Sequence, residues 1–181
     1  MSKKSLLIPA ILIVLALAIV AVVLVLALGG GNDIISKDDP LPVRFTKAVL
    51  ICDQDEIRNC VHENMETEFV NRYGVNDIRF EDCTATISAE SALLRDGMEY
   101  YASELNRDYG IQTIIESGCF YTVDFTAEYN GKEYGGAMTL LVVSFEGEEY
   151  VISVKLDRID DAFYQDNFPA GDYYYDMFGE Y

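Results

Sequence analysis

Four cysteines, one histidine and a large excess of carboxylates are the residues of this chain whose chemistry reaches beyond packing. The cysteines are Cys52, Cys60, Cys83 and Cys119, and no two of them form a Cys-x₂-Cys pair. With His62 as the single histidine, they do not make up a zinc set. They read as disulfide partners if the compartment is oxidising, with free buried thiols as the alternative. Acids gather at Asp53-Gln54-Asp55-Glu56, at Glu146-Gly147-Glu148-Glu149 and from Asp157 to Asp161. Calcium takes about six to eight oxygens, which a linear loop supplies through alternating acids, a Gly and a later Glu. Asp53 and Asp55 begin such a run, but Ile57 and Arg58 break it, so the clusters read as solvated faces. His62, beside Glu63 at a helix end, reads as a surface residue rather than a general base. No catalytic, cofactor or metal role is assigned to any residue, and an enzyme is not expected.

Where these residues sit depends first on an apolar run. Residues 5–28 form 24 uninterrupted apolar or small positions behind Lys3 and Lys4. A helix of that length spans roughly 36 Å, enough for a hydrocarbon core of about 30 Å. The lysines favour a cytoplasmic N-terminus, which puts the remainder outside a single-pass cell-membrane anchor. Pro9 falls in the first helical turn, where its missing N–H costs little. A cleaved signal peptide is the alternative, with Ala27-Leu28-Gly29 as a weak cleavage site, although such apolar regions usually run only about 7 to 15 residues. Residues 1–28 therefore read as cytoplasmic lysines plus signal anchor, 29–42 as linker, 43–156 as one domain and 157–181 as an acidic, aromatic-rich segment. The formal net charge of −18 argues against nucleic acid and anionic headgroups as partners. It favours a basic protein or wall polymer, or simply keeps a surface domain in solution.

Within the outer part, helical spacing begins at Val43, with Phe45, Ala48 and Val49 on one face and Asp53 placed to cap a second helix. NMETEFVNRYG reads as a short helix ended by Gly74, and IRFEDCTATIS as a strand. Residues 89–109 return to helix, with Leu94, Met98, Tyr101 and Leu105 along a core stripe and Gly110 past the end. Then follows a three-stranded meander broken at Asn130-Gly131 and Glu146-Gly147. Asn-Gly is the preferred two-residue hairpin turn because both central positions need positive φ. Alternation puts Cys119, Tyr121, Val123, Phe125 and Ala127 on one face of the first strand. Tyr150, Ile152, Val154 and Leu156 share a face of the third. The middle strand, AMTLLVVSF, is apolar on both faces and needs covers on both. Cys83 has the parity of Ala85 and Ile87, and Cys119 lies on an apolar face, so Cys83–Cys119 and Cys52–Cys60 are the expected disulfides.

The order helix, helix, strand, helix, meander, with FTKAVLICDQDEIRNCVHEN and the stretch from VDFTAEYNGKEYGG to GEEYVISV, resembles the cystatin-like, cone-shaped domains related to nuclear transport factor 2. The likeness is to the membrane-anchored type found on Gram-positive bacterial surface proteins, and it spans about residues 43–156. Those domains often close the meander with a Gly-x-Trp-x-hydrophobic strand. Here that position is Gly147-Glu148-Glu149-Tyr150-Val151-Ile152, without Trp. The resemblance implies an α+β fold, with N-terminal helices on a curved antiparallel sheet. It leaves function open.

The last segment carries Phe163, Tyr164, Phe168, Tyr173, Tyr174, Tyr175, Phe178 and Tyr181, an aromatic density at odds with plain disorder. It is expected either to fold back over the second face of the middle strand or to bind a partner. The reading is a membrane-anchored, extracytoplasmic, non-catalytic binding or scaffold module of the cell envelope. A small-ligand sensor or carrier using the cone pocket is the alternative, and a hydrolase or isomerase comes third. If the anchor is uncleaved, the full chain mass is retained and the protein stays in the membrane pellet after carbonate extraction; a shorter, extractable chain would mark cleavage.

Overall fold

The computed structural model describes residues 34–75 and 78–167. The apolar run 5–28 and the first five residues of the linker, 29–33, lie outside them. No helix among the described residues is long and apolar enough to cross a membrane. The elements are α1 (Leu41–Ile51), α2 (Gln54–Asn59), a single 3₁₀ turn (Glu63–Met65), α3 (Glu66–Tyr73), β1 (Asp82–Ala92), α4 (Arg95–Tyr109), β2 (Ser117–Tyr129), β3 (Lys132–Phe145), β4 (Glu148–Ile159) and α5 (Asp161–Asn167). The class is α+β, with one four-stranded antiparallel sheet in the order β1-β2-β3-β4.

α1 ends at Cys52, whose φ of 55° turns the chain and lets its N–H reach Ala48 O and Val49 O. One residue later Asp53 starts α2, accepting the Glu56 N–H at 3.0 Å. This cap satisfies one of the free donors at a helix start. The two helices are then joined by Arg44, whose Nε donates to Glu56 Oε1 at 2.7 Å. Phe45 is fully buried and meets Phe69 and Tyr73 of α3 edge-on, at 6.1 and 6.0 Å between ring centres.

β2 and β3 are joined by Asn130 and Gly131, with φ of 53° and 70°, the two positive values a primed hairpin turn needs. Glu146 and Gly147 do the same between β3 and β4, at 56° and 81°. The register places Val123, Phe125 and Ala127 beside Met138, Gly136 and Tyr134, and Leu140 beside Val154. All of these are buried and form the inner face. α1 lies against all four strands. The opposite face carries Thr84, Thr86, Thr122, Asp124 and Thr126 on β1 and β2, exposed or half-exposed, so the helices occupy the inner side.

Three expectations change here. β1 runs on to Ala92 rather than yielding to helix at 89, because Ala89 to Ala92 continue the ladder with Thr122 to Cys119 beyond a bulge at Ser88. β4 is bulged at Ile152 and again at Asp157. A bulge shifts side-chain parity, so Val151 rather than Ile152 joins the expected Val154 in the core, and Tyr150 turns to the outer face beside Val143. β4 also continues through Ile159, so the expected boundary at 156/157 falls inside a strand.

Gly136 is the tightest point of the sheet. A Cβ there would collide with Phe125 Cζ and stand 2.7 Å from Phe125 Cε2 and 2.8 Å from the Arg158 carbonyl oxygen. Gly136→Ala should cost about 1–3 kcal/mol by overpacking, read as a lower urea midpoint with an unchanged slope. An unchanged midpoint would show that the strands separate freely.

Candidate functional site

All four cysteines are free. Cys83 stands opposite Ala127, whereas Cys119 stands opposite Ala92. Eight residues of β2 separate Ala127 from Cys119, roughly 26 Å at strand rise. A disulfide needs Cα atoms within about 7 Å, so sharing a face is not enough and the expected Cys83–Cys119 link is excluded. Cys52–Cys60 does not form either: Cys52 Sγ donates to Ile78 O at 3.8 Å, and Cys60 Sγ to Glu56 Oε1 at 3.7 Å. α2 lies between them. Burial, aided by Glu56, pushes the Cys60 thiol up to about 12. Burial does the same to Cys83, also to about 12. Neither is a nucleophile near neutral pH.

The acids are dispersed into structural pairs. Asp55 meets Arg58 at 2.7 Å, Asp157 meets Lys155 at 3.3 Å, and Asp160 accepts the Gly135 N–H at 2.6 Å. Among the described residues no three His, Cys, Asp or Glu side chains converge as a metal site would need. His62 Nδ1 accepts the Asn64 N–H at 3.2 Å, and its ring lies 5.8 Å from Phe145 and 5.4 Å from Tyr150. It caps the 3₁₀ turn and packs on an aromatic pair.

Of the aromatic segment, Phe163 and Tyr164 are described; Phe168, Tyr173, Tyr174, Tyr175, Phe178 and Tyr181 lie outside the described residues. Phe163 is fully buried, with ring centres 5.1 Å from Tyr134, 5.6 Å from Phe80 and 5.9 Å from Tyr129. Asp166 accepts from Tyr134 Oη at 3.1 Å and pairs with Lys132. The segment thus begins by folding back, but at the inner-face end beside the Asn130-Gly131 turn rather than over the outer face.

The surface that sequence reasoning missed lies along α4. Of its four expected core residues only Leu105 is buried; Met98 and Tyr101 are half-buried, and Leu94 is 78% exposed. The chain from Gly110 returns beside the helix to β2. Between them runs a cleft of about 430 Å³ lined by Met98, Ala102, Ile114 and Ile115, with Arg95 and Glu99 at its rim. It adjoins a second cleft of about 620 Å³ that shares Ala102, Thr113 and Ile114 and is lined by Ser103, Asn106, Gln112, Glu116 and Glu146. Ile114 is 84% exposed. A signal for this existed: successive side chains of an extended segment point opposite ways, so Ile114 and Ile115 cannot both face inward. Ile115 is the buried one. The site therefore offers apolar side chains along one half and carboxylates and amides along the other. That suits holding a partner with apolar and basic groups.

Compared with known protein families, curated proteins and solved structures, the chain has no match. In an unreduced sample, Cys60 and Cys83 should resist a thiol reagent until the fold is melted, and added reductant should leave the melting temperature unchanged. A fall in melting temperature on reduction would establish a disulfide.

Proposed function

We propose that this chain is a membrane-anchored, extracytoplasmic, non-catalytic binding or scaffold module of the cell envelope, built on a domain of the cystatin-like cone type. The anchor rests on residues 5–28 and on Lys3 and Lys4. The binding role rests on one observation above others: Ile114 is a large apolar side chain left in solvent in the lining of a cleft, and Leu94, next in the chain to the cleft residue Arg95, is exposed as well. Exposed apolar groups clustered at a concavity are a common mark of an interaction site. The net charge of −18 points to a basic protein or polymer rather than to another acidic surface.

The pocket alternative has less support. Val123, Met138 and Leu140 on the inner face are fully buried, so the side of the sheet on which a cone would hold a ligand is filled with side chains. The enzyme alternative has less again, because His62 serves as a cap, Asp55 and Asp157 sit in ion pairs and Asp160 accepts a backbone N–H.

Crosslinking from intact cells should capture one specific envelope partner with the natural chain and several-fold less of it with Ile114→Glu. A chain ending at Asn167 should separate the cleft from the residues beyond it. If Ile114→Glu captures as much as the natural chain while the shortened chain captures none, the contact lies in the aromatic segment. If the natural chain captures no specific partner, the binding role fails.

A further inference from the structure

The two edges of the sheet are unlike. β4 carries Lys155, Asp157 and Arg158 near its end and is bulged twice. Its Val151 N–H is already spent on Cys60 O at 2.9 Å. These devices blunt an edge against further pairing. β1 has few of them. Its stretch Cys83-Thr84-Ala85-Thr86-Ile87-Ser88-Ala89 is seven residues without a charge or a Pro. A single bulge at Ser88 interrupts it. Thr84, Thr86 and Ser88 to Ala92 are exposed. On its other side β1 pairs with β2; the Cys83 N–H is taken by Asp82 Oδ1 at 2.7 Å, and among the described residues no backbone hydrogen bond from residues 84–92 to an element other than β2 is seen.

We propose that the free edge of β1 is a docking site for an extended polypeptide segment, a short run of uncharged β-favouring residues flanked by Lys or Arg, which adds to the sheet as a fifth strand. Backbone groups supply the affinity in such strand addition, and side chains select the guest. The charges choose the guest here. Asp82 and Glu90 bracket the uncharged stretch, and Glu81 and Glu128 stand beside Asp82. Of the nearby bases, Lys47 is tied to Asp39 at 2.7 Å, leaving Arg79 at the start of the approach to β1. A second copy of this chain is a poor guest. Pairing the stretch antiparallel with itself about Thr86 brings Asp82 level with Glu90 at both ends; the bulge at Ser88 turns the two side chains to opposite faces, but the pairing still gathers four acids at the edge with no base between them, and juxtaposed like charges disfavour a partner. Basic flanks at the same positions meet both acids with opposite charge.

The edge and the α4 cleft are separate surfaces, so the two readings fail separately. The test uses the full chain in lipid nanodiscs and a synthetic peptide of alternating Thr and Val with two lysines at each end. The expected result is saturable binding that weakens steeply with salt, with exchange of the Thr84–Ala89 amides slowed by about tenfold or more. Thr86→Lys, at an exposed position, should abolish that protection, while Ile114→Glu should keep it. The proposal is overturned if no binding occurs, or if a glutamate-flanked peptide binds as well. It is also overturned if a peptide N-methylated along both edges binds equally. Protection of the same amides by the chain alone, rising with its concentration and with a doubled mass, would mean a second copy is the guest.

Discussion

β3 is apolar on both faces, and the domain is organised around keeping both of them dry. The inner residues Tyr134, Met138, Leu140 and Val142 lie against the helix side and are buried. The outer residues Ala137, Leu141, Val143 and Phe145 are buried as well, by a different means. Leu93 stands over Gly118, the residue paired with Val143, and Tyr150 and His62 close over Phe145. Over Ala137 the cover is ionic: Asp124, Ala137 and Arg158 lie in register on three successive strands, and Arg158 Nη2 reaches Asp124 Oδ1 at 3.3 Å. A larger residue than Ala at the middle position would stand in the way of that bridge. The pair is largely exposed, so its worth is in orientation and shielding more than in energy.

This constraint explains the irregularities of β4. A regular strand beside β3 would send Tyr150 and Ile152 to the same face. The bulge at Ile152 lets Val151 enter the core and Tyr150 stack at 4.7 Å on Phe145. The second bulge, at Asp157, frees its carboxylate to accept from Thr139 at 2.5 Å, and Arg158 and Ile159 then pair with Ala137 and Gly136. One strand thereby serves both faces of its neighbour, burying Val151, Val154 and Ile159 while aiming Arg158 outward.

Local signals carried much of this into the sequence. The Asp53 cap, the Gly74 and Gly110 stops and the two positive-φ turns are set by a few neighbouring residues, and all are found where spacing puts them. Long-range features were not legible. Parity showed that Cys83 and Cys119 share a face, but the offset along the strand is fixed only by the pairing of β1 with β2. The extension of β1 through Ala89-Glu90-Ser91-Ala92 looks helical in the sequence because those residues favour helix as readily as strand; the partner strand decides. The α4 stripe has helical spacing, but spacing cannot say whether a face has anything to pack on. Here it borders a cleft.

The distribution of charge gives the surface its meaning. With a formal charge of −18 spread over caps, turns and paired acids, most of the exterior repels other acidic surfaces, including copies of itself. Among the described residues two places escape this: the uncharged middle of β1, and the apolar cleft lining of Met98, Ala102, Ile114 and Ile115 along α4. Neither is neutral in context, since Asp82 and Glu90 border the first, and Glu99, Glu116 and Glu146 border the clefts of the second. A neutral patch ringed by like charge is shielded from self-association yet open to a partner that brings the opposite sign. Apolar side chains and free backbone supply the short-range attraction, and the surrounding acids decide which molecules come close enough to use it.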